Sequence, residues 1–401
     1  MSEWKEVKLG DICTELSDGL HKAPLFVEGG DYIFVNAKNL CDGVIVDNDP
    51  TKKTTHEEYL KYSKPLNENT ILFSIDGTIG NIARYKGEKC VLGKGACYIN
   101  PNPVLVDSSY IYFQLQSPHF NSYLNCMSTG STIKHISLKT MRNYEFTLPP
   151  LSEQRSIASI LSALDDKIAV NRRICENLEA QAQALFKHWF IDFAPFKNGK
   201  FVESELGMIP EGWRVSTLTE IAEYLNGLAM QKYPPISDND AIPVLKIREL
   251  GQSQCDNNSD KCSKQIKPEY IIKNGDVVFS WSGTLMVDIW CGGICGLNQH
   301  LFKVTSDTYP KWFYLMWTKY HLAEFIRIAK DKAVTMGHIK RGDLEKALVA
   351  IPDSDTLVKM SEVMRNIIDK IINARLESSH LASLRDTLLP KLMSGELKVN
   401  N

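Results

Sequence analysis

The strongest constraint on the fold is an internal duplication in which each copy ends in a long heptad run. Pro149 precedes the first run and Pro352 precedes the second, 203 residues later. At the same offset the matched apolar pairs are Leu164 with Ile367, Leu178 with Leu381 and Leu185 with Leu388. A chain that repeats one unit is expected to build two similar halves related by a pseudo-twofold axis, and such a molecule suits a target that has two halves.

The repeat extends through the segments that precede the heptad runs. Ile71-Leu72-Phe73-Ser74-x-x-Gly77-Thr78 matches Val277-Val278-Phe279-Ser280-x-x-Gly283-Thr284, and Thr132-x-x-His135-Ile136 matches Thr335-x-x-His338-Ile339. The offset drifts by only a few residues, as loop insertions between two diverged copies would produce. Each copy therefore consists of a globular domain followed by a helix.

Composition narrows the class of protein. The 401 residues exceed one ordinary core, and the 43% hydrophobic and 23% charged fractions are typical of a globular protein. No run of 18 apolar residues is found, and the ten cysteines show no C-x-x-C pair. The charged N-terminal residues lead us to expect no secretory leader. We expect a reduced, cytoplasmic protein. The net charge of −2 argues weakly against a simple nucleic-acid binder and leaves room for local basic patches.

The heptad runs predict two long helices with a coiled-coil seam. Apolar residues follow one another at alternating spacings of four and three, with no Gly or Pro between positions 152 and 194. Ser152 is the expected N-cap of the first helix, and Pro390 is expected to end the second early. The expected seam residues are Ile157, Leu161, Leu164, Ile168, Asn171, Leu178, Leu185, Trp189, Ile367, Ile371, Leu381 and Leu388.

Two alternatives stay open for these helices. They either pair antiparallel and hold two domains apart as a ruler, or they form a generic bundle or dimerisation coil. Asn171, the one polar residue in the first seam, either sets the register as a buried polar group or faces a partner helix or water.

The predicted fold class is α+β: two tandem α+β domains separated by two long helices that form an antiparallel coiled coil. Short β-type runs include Tyr32–Val35 and Val277–Phe279, and one helical stretch is predicted in each copy, 109–127 and 312–330. The predicted organisation is domain 1 at 1–150, first helix at 151–192, linker at 193–208, domain 2 at 209–352, and second helix with tail at 353–401.

The chain lacks the common motifs of catalysis. It has no G-x4-G-K-[ST], no Gly-rich turn typical of S-adenosylmethionine binding, and no Asn/Asp/Ser-Pro-Pro-Tyr/Phe order of an amino-methyltransferase. No acidic cluster resembles a metal-dependent nuclease, and no His/Cys set has zinc spacing. We expect no catalytic residue and no metal ligand. The recurring His135 and His338 are read either as structural residues or as phosphate or base contacts, with the structural role favoured.

These residues resemble the specificity (S) subunit of type I restriction-modification systems. The resemblance rests on Leu148-Pro149-Pro150-Leu151-Ser152-Glu153-Gln154, on Glu205-Leu206-Gly207-Met208-Ile209-Pro210-Glu211-Gly212-Trp213, and on the two repeated motifs given above. It covers essentially the whole chain. The second copy departs from it, with Asp353-Ser354-Asp355-Thr356 at the helix start and Met286 where the first copy has Gly80.

The resemblance implies a non-catalytic subunit that binds double-stranded DNA. Each globular domain would be a target-recognition domain that reads one half of a bipartite, asymmetric site. The helices would set the unread spacer and bind two adenine-N6 methyltransferase subunits, which motor-nuclease subunits would join. No cofactor is expected in this chain, whereas S-adenosylmethionine, ATP and Mg²⁺ would belong to the partners.

Base recognition requires donors and acceptors on closely approaching loops, and phosphates require cations. The candidate DNA-binding residues of the first copy are Ser74, Gly77, Thr78, Asn81, Arg84, Lys94, Ser131, Thr132, Lys134 and His135. Those of the second are Ser280, Ser282, Thr284, Asn298, Gln299, Lys332, Thr335, His338, Lys340 and Arg341. Ordinary hairpin turns and a solvated lysine face are the alternative reading. At the level of function, the rivals are a coiled-coil assembly adaptor without sequence readout and a self-contained DNA methyltransferase, which the missing motifs disfavour.

Overall fold

A computed structural model describes residues 4–48, 51–127, 135–331 and 337–399. Contacts divide the chain into two compact units. Unit 1 comprises residues 1–166 and 381–401, and unit 2 comprises residues 167–380. Each unit therefore contains one globular domain and one portion of each long helix.

The first copy contains short strands, small helices and then a long helix. Its strands are β1 (Lys5–Lys8), β2 (Cys13–Asp18), β3 (Tyr32–Val35), β4 (Leu40–Cys41), β5 (Val44–Ile45), β6 (Lys53–Thr54), β7 (Ile71–Ser74), β8 (Ile82–Arg84), β9 (Cys90–Leu92), β10 (Ala96–Pro101) and β11 (Glu145–Leu148). Its helices are α1 (His56–Tyr62), α2 (Ser108–Gln114), α3 (Pro118–Met127), α4 (Leu138–Arg142) and α5 (Leu151–Phe186), followed by a π-helical turn at Lys187–Ile191.

The second copy repeats this order. Its strands are β12 (Phe201–Ser204), β13 (Gly207–Pro210), β14 (Arg214–Thr217), β15 (Glu223–Asn226), β16 (Ala241–Leu245), β17 (Lys261–Ser263), β18 (Ile271–Ile272), β19 (Val277–Ser280), β20 (Met286–Ile289), β21 (Cys295–Leu297), β22 (Leu301–Thr305) and β23 (Leu348–Ile351). Its helices are α6 (Leu218–Ile221), α7 (Ile247–Gln252), α8 (Lys311–Asp331), α9 (Arg341–Glu345) and α10 (Ser354–Met393).

Sheet topology confirms the duplication and the α+β class. The antiparallel sheet β2-β10-β7-β8 of the first copy has the same order as β15-β22-β19-β20 of the second. In each copy a parallel pair lies in a second sheet, β3 with β9 and β16 with β21. The last strand of each domain also pairs with an early strand, β11 with β1 and β23 with β14. The chain therefore returns to the beginning of the domain before the long helix begins.

Each unit has its own core, to which its helix portions contribute. In unit 1, Ile157 and Leu161 of α5 pack in one cluster with Leu389 and Leu392 of α10 and with domain residues such as Phe73. In unit 2, Met364 and Ile371 of α10 share a cluster with Phe279 and Trp317 of the domain. The helices are thus part of the domain cores as well as partners of each other.

Three local predictions are wrong. The stretch 109–127 is two helices, because the chain turns at Leu115–Ser117 and Pro118, which lacks an N–H, begins α3. Ser152 lies inside α5, which begins at Leu151. Helix α10 continues through Pro390 to Met393. The segment 193–208, expected as a linker, contains β12 and the start of β13.

Packing at the end of α10 explains why the helix continues through Pro390. Pro390 loses one hydrogen bond, but Leu389, Leu392 and Met393 around it are at most 7% exposed, so burial outweighs the loss. The second helix has a side-chain cap, because Asp353 accepts a hydrogen bond from the Thr356 N–H at 3.0 Å. These contacts also lower the pKa of Asp353, with the Thr356 backbone bond as the main cause.

Candidate nucleic-acid interface

Backbone contacts join the two repeated motifs of the first copy. Ile75, directly after β7, accepts a hydrogen bond from the Ile136 N–H at 2.9 Å, and its own N–H donates to Gly95 O at 3.0 Å. Asp76 and His135 form a β-bridge, with 3.9 Å between Oδ1 and Nδ1. Residues 75–81, 93–95 and 135–136 therefore form one surface, which we call loop cluster 1.

Two candidate residues, Ser74 and Asn81, stabilise the conformation of the loop after β7 through hydrogen bonds. Ser74, at its base, is fully buried; its hydroxyl donates to Thr78 O at 2.6 Å and accepts from the Asn81 N–H at 2.8 Å. The Asn81 amide donates to Ala37 O at 2.8 Å. Ser74 therefore cannot reach a base without opening the loop. Gly77, Thr78 and Lys94 are exposed, and Gly77 has a φ of +72°, which glycine adopts readily.

The second copy repeats the same backbone arrangement. Ile339 N–H donates to Trp281 O at 3.1 Å, Gly283 N–H donates to Gly337 O at 2.9 Å, and Ser282 and His338 form a β-bridge. We call residues 281–285, 298–300 and 337–341 loop cluster 2. The β19–β20 connection is shorter than its counterpart, so Met286 already lies in a strand where Gly80 of the first copy needs a φ of +100°.

Side chains differ in exposure within loop cluster 2. The Ser282 hydroxyl is hydrogen-bonded to His300 Nδ1 at 3.0 Å, and Gln299 Nε2 lies 3.4 Å from His300 Nε2. Ser280, Ser282 and Asn298 are at most 6% exposed. Their predicted DNA contact is not supported, because their polar groups form hydrogen bonds within the loop cluster. Thr284, His338, Lys340 and Arg341 are exposed.

Arg84 has a different place from that predicted. Its guanidinium lies 4.1 Å from the centre of the Tyr112 ring, and Nη2 approaches Ser162 Oγ of α5 at 3.5 Å. Arg84, the last residue of β8, therefore packs against α2 and α5 rather than on loop cluster 1. A further five candidates, Ser131, Thr132, Lys134, Lys332 and Thr335, lie outside the described residues.

A repeated glycine was missed at the sequence level. Gly19 follows β2 and Gly227 follows β15, and both are followed by leucine. A Cβ at Gly19 would clash with Leu92 O, and one at Gly227 would clash with Asn298 O. In the first copy this glycine lets the end of β2 approach the turn after β9, and in the second copy it lets the end of β15 approach the turn after β21. Both turns belong to the loop clusters. The repeated Gly-Leu pair was the available signal.

The helix portions of unit 1 run antiparallel. Ile157 and Leu161 of the predicted seam are buried, whereas Leu164 and Leu388 are partly buried. Arg385 of α10 donates to Asp165 Oδ1 of α5 at 2.8 Å. Burial lowers the pKa of Arg385, but the carboxylates of Asp165 and Asp386 outweigh this effect and raise it. Leu381, the first residue of α10 in this unit, is partly buried.

The helix portions of unit 2 also run antiparallel. Asn171 is 1% exposed and donates from Nδ2 to Glu377 Oε2 at 2.7 Å, while Lys167 pairs with the same oxygen at 3.1 Å. These two contacts, Asn171 first, lower the pKa of Glu377. Of the two interpretations of Asn171, the structure agrees with the one in which the residue is a buried polar group of the seam. Its hydrogen-bond partner is a carboxylate of the opposite helix.

Burial along the seam of unit 2 is uneven. Ile367 and Ile371 are buried, whereas Ile168, Leu178, Leu185 and Trp189 are partly buried. Near the end of α5 the deepest residues are instead Phe186 and Phe190, whose rings lie 5.0 and 5.7 Å from that of Trp317. This second apolar stripe, one position beyond the seam, was missed in the sequence and fixes the helix on the domain.

Arg375 links both helices of unit 2 to the domain. It contacts Glu179 Oε1 of α5 at 2.7 Å, both Asp288 carboxylate oxygens of β20 at 3.0 Å, and Ile289 O at 2.9 Å. Burial lowers the pKa of Arg375, but Asp288 and Glu179 outweigh this effect and raise it. A cation shared by three elements holds the helix pair against one strand of the domain.

Among the residues that the structure describes, no group of three or more His, Cys, Asp or Glu side chains is arranged to hold a metal ion. No described helix is long and apolar enough to span a bilayer. All ten cysteines are free thiols.

The duplicated α+β domain and the paired helices define a class of proteins built from two similar domains and two long helices. A family model described as the type I restriction modification DNA specificity domain matches residues 1–180 and 210–378, and the chain belongs to this family. The type I restriction enzyme MjaIX specificity subunit of Methanocaldococcus jannaschii is 30% identical, over 99% of this chain and 94% of that protein.

Two further comparisons agree with this assignment. The type I restriction enzyme HindI specificity subunit of Haemophilus influenzae is 21% identical, over 99% of this chain and all of that protein. The crystal structure of a type I restriction-modification S subunit from M. genitalium superimposes with a TM-score of 0.56 at 17% identity, covering 98% of this chain and 96% of that one. At this identity the superposition shows the shared fold.

Proposed function

We propose that this chain is the DNA sequence-specificity subunit of a type I restriction-modification complex and performs no bond chemistry itself. Each globular domain reads one half of a bipartite, asymmetric DNA site. The paired helices set the unread spacer and bind two adenine-N6 methyltransferase subunits, and motor-nuclease subunits join that complex. S-adenosylmethionine, ATP and Mg²⁺ belong to those partners, and the complex works in the cytoplasm.

The observation that carries the proposal is a shared scaffold with different side chains at corresponding loop positions. The backbone bonds from Ile136 and Ile339 recur, but they reach Ile75 in one copy and Trp281 in the other. Two similar frameworks with different side chains suit two different half-sites, because base edges are distinguished by the donors, acceptors and apolar groups presented to them.

The test is to co-express the chain with its methyltransferase subunit and map methylated adenines in genomic DNA. We expect one bipartite motif. In a gel shift, the complex should prefer a duplex that contains the motif over one with scrambled halves. Equal affinity for both duplexes would favour the assembly adaptor, and S-adenosylmethionine binding by the isolated chain would favour a self-contained methyltransferase.

Loop variants assign the halves. Thr78→Ala with Lys94→Ala should weaken binding to one half-site, and Thr284→Ala with Lys340→Ala should weaken binding to the other. Lys86→Ala, an exposed lysine of unit 1 outside loop cluster 1, is the matched control and should leave affinity unchanged. If both loop variants affected both halves equally, the one-domain, one-half assignment would be wrong.

A further inference from the structure

The two copies differ at the residue directly after the corresponding strands β7 and β19. Ile75 in the first copy is 1% exposed and contributes to the core of unit 1. Trp281 occupies the same backbone position in the second copy, yet its side chain is partly exposed. The equivalent bonds from Ile136 and Ile339 show that this is a difference of side chain and not of register.

The Trp281 indole is held in one orientation. Its Nε1–H donates to Asn226 Oδ1 at 3.0 Å, and its ring centre lies 5.7 Å from that of Phe302 and 6.0 Å from that of His300. His338 meets it edge-on at 6.3 Å. An aromatic ring that is ordered before binding loses little conformational entropy when it makes a contact.

The surroundings of this ring are polar and able to donate hydrogen bonds. Gln299, exposed His338 and exposed Lys340 belong to the same loop cluster. A flat apolar surface beside donors and a cation suits a nucleobase with its flanking phosphate, because aromatic side chains contact base faces and steps while polar groups contact edges and backbone. Trp281 packs against the core of unit 2 with part of its side chain and leaves the rest exposed, whereas Ile75 is buried entirely.

We propose that Trp281 is a specificity-determining residue of the second globular domain and that its indole contacts a nucleobase in the half-site read by that domain. This proposal rests on the proposed function. At the equivalent position of the first domain, Ile75 is buried and presents no ring to the loop surface. An aromatic contact at this position would therefore belong to one half of the target and not to the other.

The test compares Trp281→Leu with the wild-type methyltransferase complex, first by methylation mapping and then by affinity for a duplex that contains the mapped motif. A lost contact to one base pair of the duplex, worth about 1–3 kcal/mol, should raise Kd by about 5- to 150-fold. The methylated motif should relax only in the half assigned to the second domain. Trp281→Phe, which keeps a ring, should recover part of the affinity.

Trp4→Leu is the matched control. Trp4 is also a partly exposed tryptophan whose indole N–H donates to a side chain, Glu153 Oε2 at 3.2 Å, but it lies in unit 1 away from loop cluster 1. We expect this variant to retain the motif and the affinity. A wild-type complex that methylates no bipartite motif would overturn the proposed function, whereas an unchanged motif and Kd in Trp281→Leu would overturn only the role of Trp281.

A second measurement uses the wild-type complex in case Trp281→Leu fails to fold. Duplexes that carry 5-iodouracil at single positions of the mapped motif are irradiated, and the cross-linked residues are identified by mass spectrometry. A cross-link at Trp281 from the half-site of the second domain supports the proposal. Cross-links elsewhere in loop cluster 2 with none at Trp281 from any position would overturn it.

Discussion

Replacing Arg375 by methionine tests how the helix pair is attached to the second domain. Methionine keeps an unbranched apolar stem and removes the cation. The Arg375 side chain is 21% exposed, and the Glu179 and Asp288 side chains beside it are 32% and 25% exposed. Without the guanidinium, two partly buried carboxylates lose their shared partner and Ile289 O loses a donor.

The expected cost follows from this geometry. Removing one partner of a fully buried ion pair costs about 3–5 kcal/mol, and exposed pairs contribute at most about 1 kcal/mol. Because all three side chains are 21–32% exposed, solvent screens part of the interaction. We therefore expect a loss of about 2–4 kcal/mol in the free energy of unfolding of unit 2.

The assay is urea denaturation of the full chain, with hydrogen–deuterium exchange to locate the loss at Met286–Ile289 and in the helix portions of unit 2. The double variant Arg375→Met with Asp288→Asn is the control, because it removes one of the unpaired carboxylates. It should recover about 1 kcal/mol or more.

Two results would refute this reasoning. One is an Arg375→Met protein within about 0.5 kcal/mol of the wild type, which is the range of ordinary surface substitutions. The other is a double variant less stable than the single one. Either would mean that apolar packing, rather than the shared cation, holds the helices on β20.

Two other changes test the helices. Asp353→Ala removes the side-chain cap of α10 and should cost about 1 kcal/mol in thermal or urea unfolding. Because the folded pKa of Asp353 is lowered, its contribution is present above the unfolded pKa and is lost as pH falls through the folded value, so wild type and variant should converge in acid; a constant difference would contradict this. Asn171→Leu removes the first cause of the low pKa of Glu377, so NMR titration should show that pKa moving toward its ordinary value. Unfolding measurements should show no loss of stability, because a buried polar residue in a coiled-coil seam costs stability. Asn177→Leu, the same substitution at an exposed position of α5, is the matched control and should leave the pKa of Glu377 unchanged.

Patterns set by local spacing were readable in the sequence. The heptad run predicted Ile157, Leu161, Ile367 and Ile371 as buried helix residues because a helix brings positions three and four apart onto one face. Strands such as Tyr32–Val35 were also correct, since β-branched and aromatic runs favour them. The duplicated motifs predicted equivalent sites in both copies before any contact was known.

Exposure of individual side chains was decided by tertiary structure. Ser74 and Thr78 belong to one motif, yet the first lies inside the loop and the second outside. The contacts of Arg84 and Phe186 depend on which residues the fold places beside them. The sequence alone does not show how close β8 lies to α5. The sequence determined that two domain-and-helix copies exist, because repetition and periodicity are properties of the chain. Only the fold decided that Trp281 is partly exposed where Ile75 is buried, because burial depends on residues distant in sequence.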